Sequence, residues 1–530
     1  MTCQEKNKND VLAFVKHKIG KPVNCYVVMA TIESMGIRDK DILTDFGMTT
    51  LHELASEIYS KLNTTGINTQ QTEFYNTPQK TIPVSGYLRI KTKLFSVYYP
   101  LGLLHFIPVL VQIIAIVLFG YSLWTYVGFN QLQSTAVVLG VILGMVCTGG
   151  YVQVIGRQAS FYWNYKNFIM MNSTINNLIK LGVKSMLILF TVLFIVNYFV
   201  NFYPYSVLLI ISVYALLIGS LLLILAPMHT IKQRWVVSVA VGLGTLLAVG
   251  LKEFTTLNIY STHWTGILSA IILSKVYLMY FFKKHITNAS SDRLFQIQKV
   301  IYHNYQYFIY GVLVYVFLFT DRILAWSSSV NRVSPYIIYY EKDYEIGMDL
   351  AILMFLLLTG VLEFSIASFS KFLDIGQKQI NYATPKTFGT HLLKLYWQHI
   401  GLLFLSTALI SVFIYLIITS SWGYEAQFNE ALNKLSIHVC IIGSLGYVFL
   451  AWAMLNSLHM FTLNQPKKVI RALTIAIIVN YIVGLVLSSV FAYQLSVVGM
   501  LVGALTFLAI TLYDGIKFYK NLDYYYYAAY

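Results

Sequence analysis

Two carboxylates inside long apolar runs are where this chain could do chemistry. Glu363 stands in GVLEFSIASFS, about eight residues from the near end of its run. At 1.5 Å per residue that places it ~12 Å deep. Asp321 stands beside Arg322 in Tyr307 to Trp326 (YFIYGVLVYVFLFTDRILAW), about 17 residues into a run long enough to cross a bilayer. An ion at such depth costs several kcal/mol, roughly, unless it faces protein or a wet cavity. For Glu363 the alternatives are a functional cavity carboxylate and a helix–helix hydrogen bond. For Asp321 and Arg322 they are headgroup anchoring and the lining of a polar path. A cavity carboxylate would bind cationic groups, whether protonated amino sugars or coupling cations. Asp349 guards the outer mouth of the next run, and Lys275 lies one or two turns from an inner face, where it can snorkel. Gln112 and Gln153 complete the candidate translocation path, with interhelical hydrogen bonding as their plainer role.

The elements that must position these groups are membrane helices. The 530 residues are 57% hydrophobic and 11% charged, with mean hydropathy +0.65. Cys3, Cys25, Cys147 and Cys440 form no CxxC or Cys/His cluster, so neither a disulfide framework nor zinc is implied. There is no GxxxxGK[ST], HExxH or G-x-S-x-G, hence no ATPase, zinc hydrolase or serine esterase signature. The scattered histidines, His105 and His229 among them, read as packed or interfacial. We expect no enzyme, no cofactor and no metal.

Residues 1–62 read as a small helical cytoplasmic domain, with helices over Asp10–Ile19, Val27–Met35 and Thr50–Leu62. The last opens on the capping box Thr50-x-x-Glu53. Asp45 to Leu51 (DFGMTTL) is similar to the DLGxDSL signature of acyl carrier proteins. Thr50 replaces the serine that would carry phosphopantetheine, which excludes that role. A polar linker is expected over 63–95. Twelve spans follow as two six-helix halves, 96–282 and 305–520, joined by a linker at 283–304 and ending in a tail at 521–530. The stretch Ser160–Leu181 is too polar to span and reads as an amphipathic interfacial helix.

Loop charge sets the orientation. Loops on one side carry nineteen Lys and Arg, and those on the other only Lys252, Arg332, Lys342 and Lys434. The positive-inside rule therefore predicts cytoplasmic N- and C-termini. The net charge of +15 is accounted for by these loops, so nucleic acid is not an expected partner. The first apolar run begins near residue 100, so no signal peptide is expected.

Twelve spans as six plus six, a basic middle loop and charges in spans seven and eight resemble the MOP (multidrug/oligosaccharide-lipid/polysaccharide) flippase superfamily. Within it, three stretches are similar to the PelG-like exopolysaccharide transporters: Phe319-Thr320-Asp321-Arg322-Ile323-Leu324-Ala325-Trp326, Leu362-Glu363-Phe364, and Lys520-Asn521-Leu522-Asp523-Tyr524-Tyr525. Arg322 stands where that family tends to have lysine. The resemblance covers residues 95 to 525 and leaves the N-terminal 90 without a counterpart. It implies a bacterial inner-membrane, biofilm-associated exporter of an amino-sugar-rich exopolysaccharide or its precursor. Its implied partners are a cytoplasmic glycosyltransferase and other membrane synthase subunits. The rival readings are a cation-coupled exporter of small molecules or lipid-linked oligosaccharides with the same fold, and a scaffold for a synthase complex. A membrane-embedded transferase would need a catalytic set in outer loops that are short here.

Overall fold

Lipid cannot satisfy backbone polar groups, so a chain this apolar must spend them inside helices. The computed structural model describes residues 3–20, 22, 24–37, 39–64, 84–286, 297–328, 336–379, 385–420, 423–428, 430–522 and 525. Among these the chain is helical, with no strand beyond one isolated Tyr121–Tyr126 bridge. Most of the expected linker lies outside the described residues, as do Arg293, Arg332, Asp523 and Tyr524.

The N-terminal unit is four helices: α1 (Cys3–Ile19), α2 (Cys25–Ser34), α3 (Asp39–Phe46) and α4 (Leu51–Thr64). Val15, Val28, Ile32, Ile42, Leu54 and Ile58 are buried between them. Helix α3 is additional to the sequence reading. Asp39 holds it in place by accepting the Leu51 N–H at 2.9 Å. The Thr50 hydroxyl caps the Glu53 N–H as expected, at 3.2 Å. The Glu53 carboxylate instead reaches the hydroxyl and N–H of Thr49, at 2.8 and 3.0 Å, which hold it below the usual carboxylate range.

The membrane part comprises α5 (Val84–Leu103), α6 (Ile107–Phe119), α7 (Gln131–Asn164), α8 (Phe168–Val200), α9 (Tyr205–Thr230), α10 (Trp235–Phe254) and α11 (Ile259–His285). The second half holds α12 (Ile297–Ser328), α13 (Lys342–Gln379), α14 (Pro385–Thr419), short α15 (Tyr424–Phe428), α16 (Lys434–Thr462), α17 (Pro466–Val490) and α18 (Ser496–Lys520). Eleven of these helices are long and apolar enough to span, and the α5–α6 pair, bent by 42°, makes twelve. Pro108 explains the bend. It lacks the N–H that would bond Leu104, and the chain unwinds at 104–106 just before it.

Helix α5 begins at Val84, inside the stretch read as linker, and Lys91 and Lys93 ride on it. The interfacial helix expected over Ser160–Leu181 is absent. Helices α7 and α8 run through that stretch and reverse in a tight turn at 165–167. Lys166 takes a left-handed conformation there, and Asn167 N–H reaches Tyr162 O at 3.0 Å. The turns at Lys232 and Asn464 repeat both features, with Gln233 N–H on Met228 O and Gln465 N–H on Met460 O. All three turns lie at one end of the bundle, here called the basic end.

The halves are built alike. In the first, α7 packs on α8 and α9, and α10 on α11; in the second, α13 packs on α14 and α16, and α17 on α18. Between halves, α5 crosses α13, and α12 crosses α7. Each contact becomes the other when the halves are exchanged. Each is also a glycine crossing. A Cβ added to Gly102 would lie 2.6 Å from Gly360 Cα, and one added to Gly149 would lie 2.6 Å from the Gly311 carbonyl oxygen. Backbones this close leave no room for a methyl group.

Gly149→Ala should therefore destabilise the purified protein by about 1–3 kcal/mol through overpacking, read as a lower melting temperature. Gly156→Ala, on the same helix with open space around it, should not. Equal melting of the two variants would show that the halves do not meet at these glycines.

Candidate functional site

The bend in the first span leaves backbone groups to be satisfied, and a charged cluster forms around them. His105 N–H turns back to Gly102 O at 3.1 Å, so Leu101 O loses its helical donor. Arg234, at the cap preceding α10, donates Nη1 to that carbonyl at 3.1 Å. Its Nη2 lies 3.0 Å from Glu363 Oε1, on α13 of the other half. His105 Nε2 is 3.6 Å from the same oxygen, and the His105 ring stacks on His229 with centroids 4.7 Å apart. Glu363 thus does not stand alone. It ties the broken span of one half to α13 of the other, three residues from the Gly102–Gly360 crossing. About a quarter of its side chain stays exposed (28%).

A second cluster lies toward the opposite end, wholly within the second half. Asp321 is fully buried and accepts a hydrogen bond from Tyr344 OH at 2.7 Å. Arg322, 5% exposed, pairs closely with Glu345 on α13 and more loosely with Asp349, at 3.1 Å. Asp321 and Arg322 are both buried within the second half. Three carboxylates surround one guanidinium, and two of them, Asp321 and Glu345, are buried. Asp321 Oδ1, Glu345 Oε1 and Arg322 Nε have no partner atoms. Leaving such buried polar atoms unpaired is costly.

The remaining candidates are scattered. Gln153 is exposed beside Gly311, at the α7–α12 crossing. Gln112 is buried in the first half, where it donates to Thr245 Oγ1 and accepts the Leu123 N–H, both at 2.8 Å. Lys275 donates to Asn176 at 2.6 Å, between α11 and α8, and belongs to neither cluster. No group of three or more His, Cys, Asp or Glu suited to a metal ion occurs among the described residues.

Sequence reasoning missed Arg234, His105, His229, Tyr344 and Glu345 as members of these sites. Arg234 is one of the nineteen basic loop residues, and Glu345 lies at the start of α13. One signal was available for Glu345: it is four residues before Asp349 on an apolar helix. Like charges at that spacing repel and call for a cation. No comparable signal marks Arg234, which is recruited by a carbonyl that only the bend exposes.

No protein-family model matches the chain, and no curated protein does. Solved structures do. The eukaryotic MATE transporter AtDTX14 superposes with a TM-score of 0.58 at 11% identity, over 83% of this chain and 100% of that one. The Vibrio cholerae MATE transporter VcmN in its bent form gives 0.55 at 12% identity, over 82% and 98%. A MOP-superfamily transporter from Pyrococcus furiosus gives 0.53 at 11% identity, over 81% and 97%. The fold is therefore the MATE type, all-α and polytopic, as expected from the spans.

The Arg234–Glu363 pair can be tested by a double-mutant cycle. Glu363→Gln alone should destabilise the protein, because it strands a largely buried guanidinium; the cost should fall below the ~3–5 kcal/mol of a fully buried pair. Adding Arg234→Gln should recover part of the loss. Strictly additive melting shifts would mean that the two side chains do not interact.

Proposed function

We propose that this chain is an alternating-access exporter whose two halves rock about the paired glycine crossings. The observation that carries this is the Glu363–Arg234 bridge beside one crossing: a partly exposed ion pair between halves can break and re-form as they move. Opening the basic end would part Glu363 from Arg234 and His105, leaving a carboxylate free for a coupling cation or for hydroxyl and amide donors of the cargo.

For the cargo we propose an amino-sugar-rich exopolysaccharide or its precursor, moved outward across the bacterial inner membrane. Support comes from the motif resemblance around Asp321 and Glu363 and from a fold of the MOP type. A cytoplasmic glycosyltransferase and membrane synthase subunits would then be partners, with the N-terminal unit as a docking module. The protein itself would perform no covalent chemistry. A second reading, a cation-coupled exporter of smaller cargo, is favoured by one observation. The Asp321–Arg322–Glu345–Asp349 cluster carries more acid than base and leaves carboxylate oxygens unpaired.

In the native host, Glu363→Gln should reach the membrane at normal levels yet sharply reduce secreted polymer, with a milder loss for Asp321→Asn. Normal export by Glu363→Gln would remove the residue from the path. Unchanged polymer on deletion of the whole gene, with loss of ion-driven dye efflux, would favour the second reading. Orientation is checked separately in a cysteine-free background. Lys284→Cys should resist an impermeant thiol reagent in intact cells, and Ile337→Cys, at an exposed site, should react. The reverse pattern would invert the topology.

A further inference from the structure

A cavity of about 480 Å³ lies at the basic end, where the start of α12 meets the α16–α17 turn. Its volume is within the ~300–1,000 Å³ of small-molecule sites. Three tyrosines, Tyr302, Tyr305 and Tyr307, line it with the amides Gln306 and Asn464 and with Lys467. The tyrosines differ in what they touch. Tyr302 is 82% exposed and Tyr305 48%, whereas Tyr307 is buried. Tyr307 OH donates to Asn464 Oδ1 at 2.9 Å, and Gln306 Nε2 donates to Tyr305 OH at 2.9 Å. Tyrosines of an interfacial belt would face lipid headgroups. These share a concave wall with two amides.

Arg157, from α7 of the other half, holds two of the lining groups. Its guanidinium stacks over Tyr307, with Cζ 3.8 Å from the ring centroid, and its Nη2 donates to Asn464 Oδ1 at 3.0 Å. One side chain of the first half therefore covers two cavity groups of the second. Any motion that parts the halves at this end must lift Arg157 away, uncovering a ring face and an amide.

We propose that this cavity is a loading subsite for the carbohydrate cargo, and that Arg157 is a latch competing with the sugar for Tyr307 and Asn464. The proposal rests on the polysaccharide reading given above. Aromatic faces pack against the C–H faces of pyranose rings, and amides pair with hydroxyl or acetamido groups around their edges. Loop charge assigns this end to the cytoplasm, the side on which a cytoplasmic glycosyltransferase would deliver its product. Lys467 and Arg157 set the selectivity: they repel free amines and admit neutral or acidic sugars. Amino sugars would enter here N-acylated. Sugar bound in place of Arg157 removes one contact between halves and so favours opening at this end.

The test uses the full chain in lipid nanodiscs and four probes. These are a neutral N-acetylglucosamine tetramer, an acidic galacturonate tetramer, a glucosamine tetramer with free amines, and N-acetylglucosamine on a prenyl diphosphate. The neutral and acidic tetramers should bind, and the free-amine tetramer should not. Tyr302→Ala, a change at an exposed ring that the fold does not need, should weaken binding about five- to tenfold. Arg157→Gln should strengthen binding, because it frees Tyr307 and Asn464 while keeping a side chain of similar length. If the prenyl-linked sugar also binds and loses affinity in Tyr302→Ala, the subsite serves lipid-linked cargo as well. Failure of all four probes to bind overturns the proposal, as does affinity unchanged in Tyr302→Ala. So does binding confined to the prenyl-linked probe and indifferent to Tyr302, which would mark a diphosphate site. Secreted polymer is measured in parallel. Normal export without tetramer binding sinks the subsite alone, whereas polymer secretion independent of this gene sinks the cargo reading whatever the cavity binds.

Discussion

Apolar helices gain nothing from the hydrophobic effect by meeting each other in lipid, because acyl chains are as apolar as leucine. The two halves must therefore be held by close backbone contact and by a few polar links, and both devices occur at the same place. The Gly102–Gly360 crossing brings α5 and α13 within van der Waals distance, and the Arg234–Glu363 pair joins the halves three residues away. Thr359 adds a hydroxyl donated to Gly102 O at 3.2 Å. Each contact is weak enough to be remade. Away from this crossing the halves also share a buried apolar cluster, which takes Ala136, Leu139 and Ile142 from the first half and Tyr310 and Phe317 from the second.

The bend in the first span belongs to the same device. Pro108 breaks the helix, the break frees Leu101 O, and Arg234 caps that carbonyl while reaching for Glu363. One guanidinium thus answers both the open carbonyl of α5, through Nη1, and the carboxylate of α13, through Nη2. Local helix geometry and the link between halves are coupled through one guanidinium, which is how a small change at a kink can reach across a membrane protein.

Spans, halves and basic end were legible in the sequence because lipid imposes the same length and polarity on every helix. Glu363 was legible for the same reason, since a carboxylate that deep must be answered by something. What answers it was not. Arg234 looks like ordinary loop charge until the bend is known, and Pro108 alone does not reveal which carbonyl will be left open. Ser160–Leu181 misled in the opposite direction. Its polar residues suggest an interfacial helix, yet two spanning helices project through that stretch, and Asn172 and Asn176 pair along one face of α8. Polarity marks where the bilayer ends, but it does not mark where a helix stops.

The halves repeat each other in packing and differ in charge. At comparable depth toward the end opposite the basic turns, the first half buries neutral pairs: Tyr214 with His263 at 2.6 Å and Tyr121 with Thr262 at 2.7 Å. The second half buries Asp321, Arg322 and Glu345 there. Duplicated architecture explains how two such bundles can rock against each other, and it places no demand on their interiors. A neutral pair holds its bundle together and has no charge to exchange with solvent. An acid-rich cluster with unpaired carboxylate oxygens stores free energy that a proton or cation would release on binding. The halves therefore share an architecture and differ in the charge that they bury.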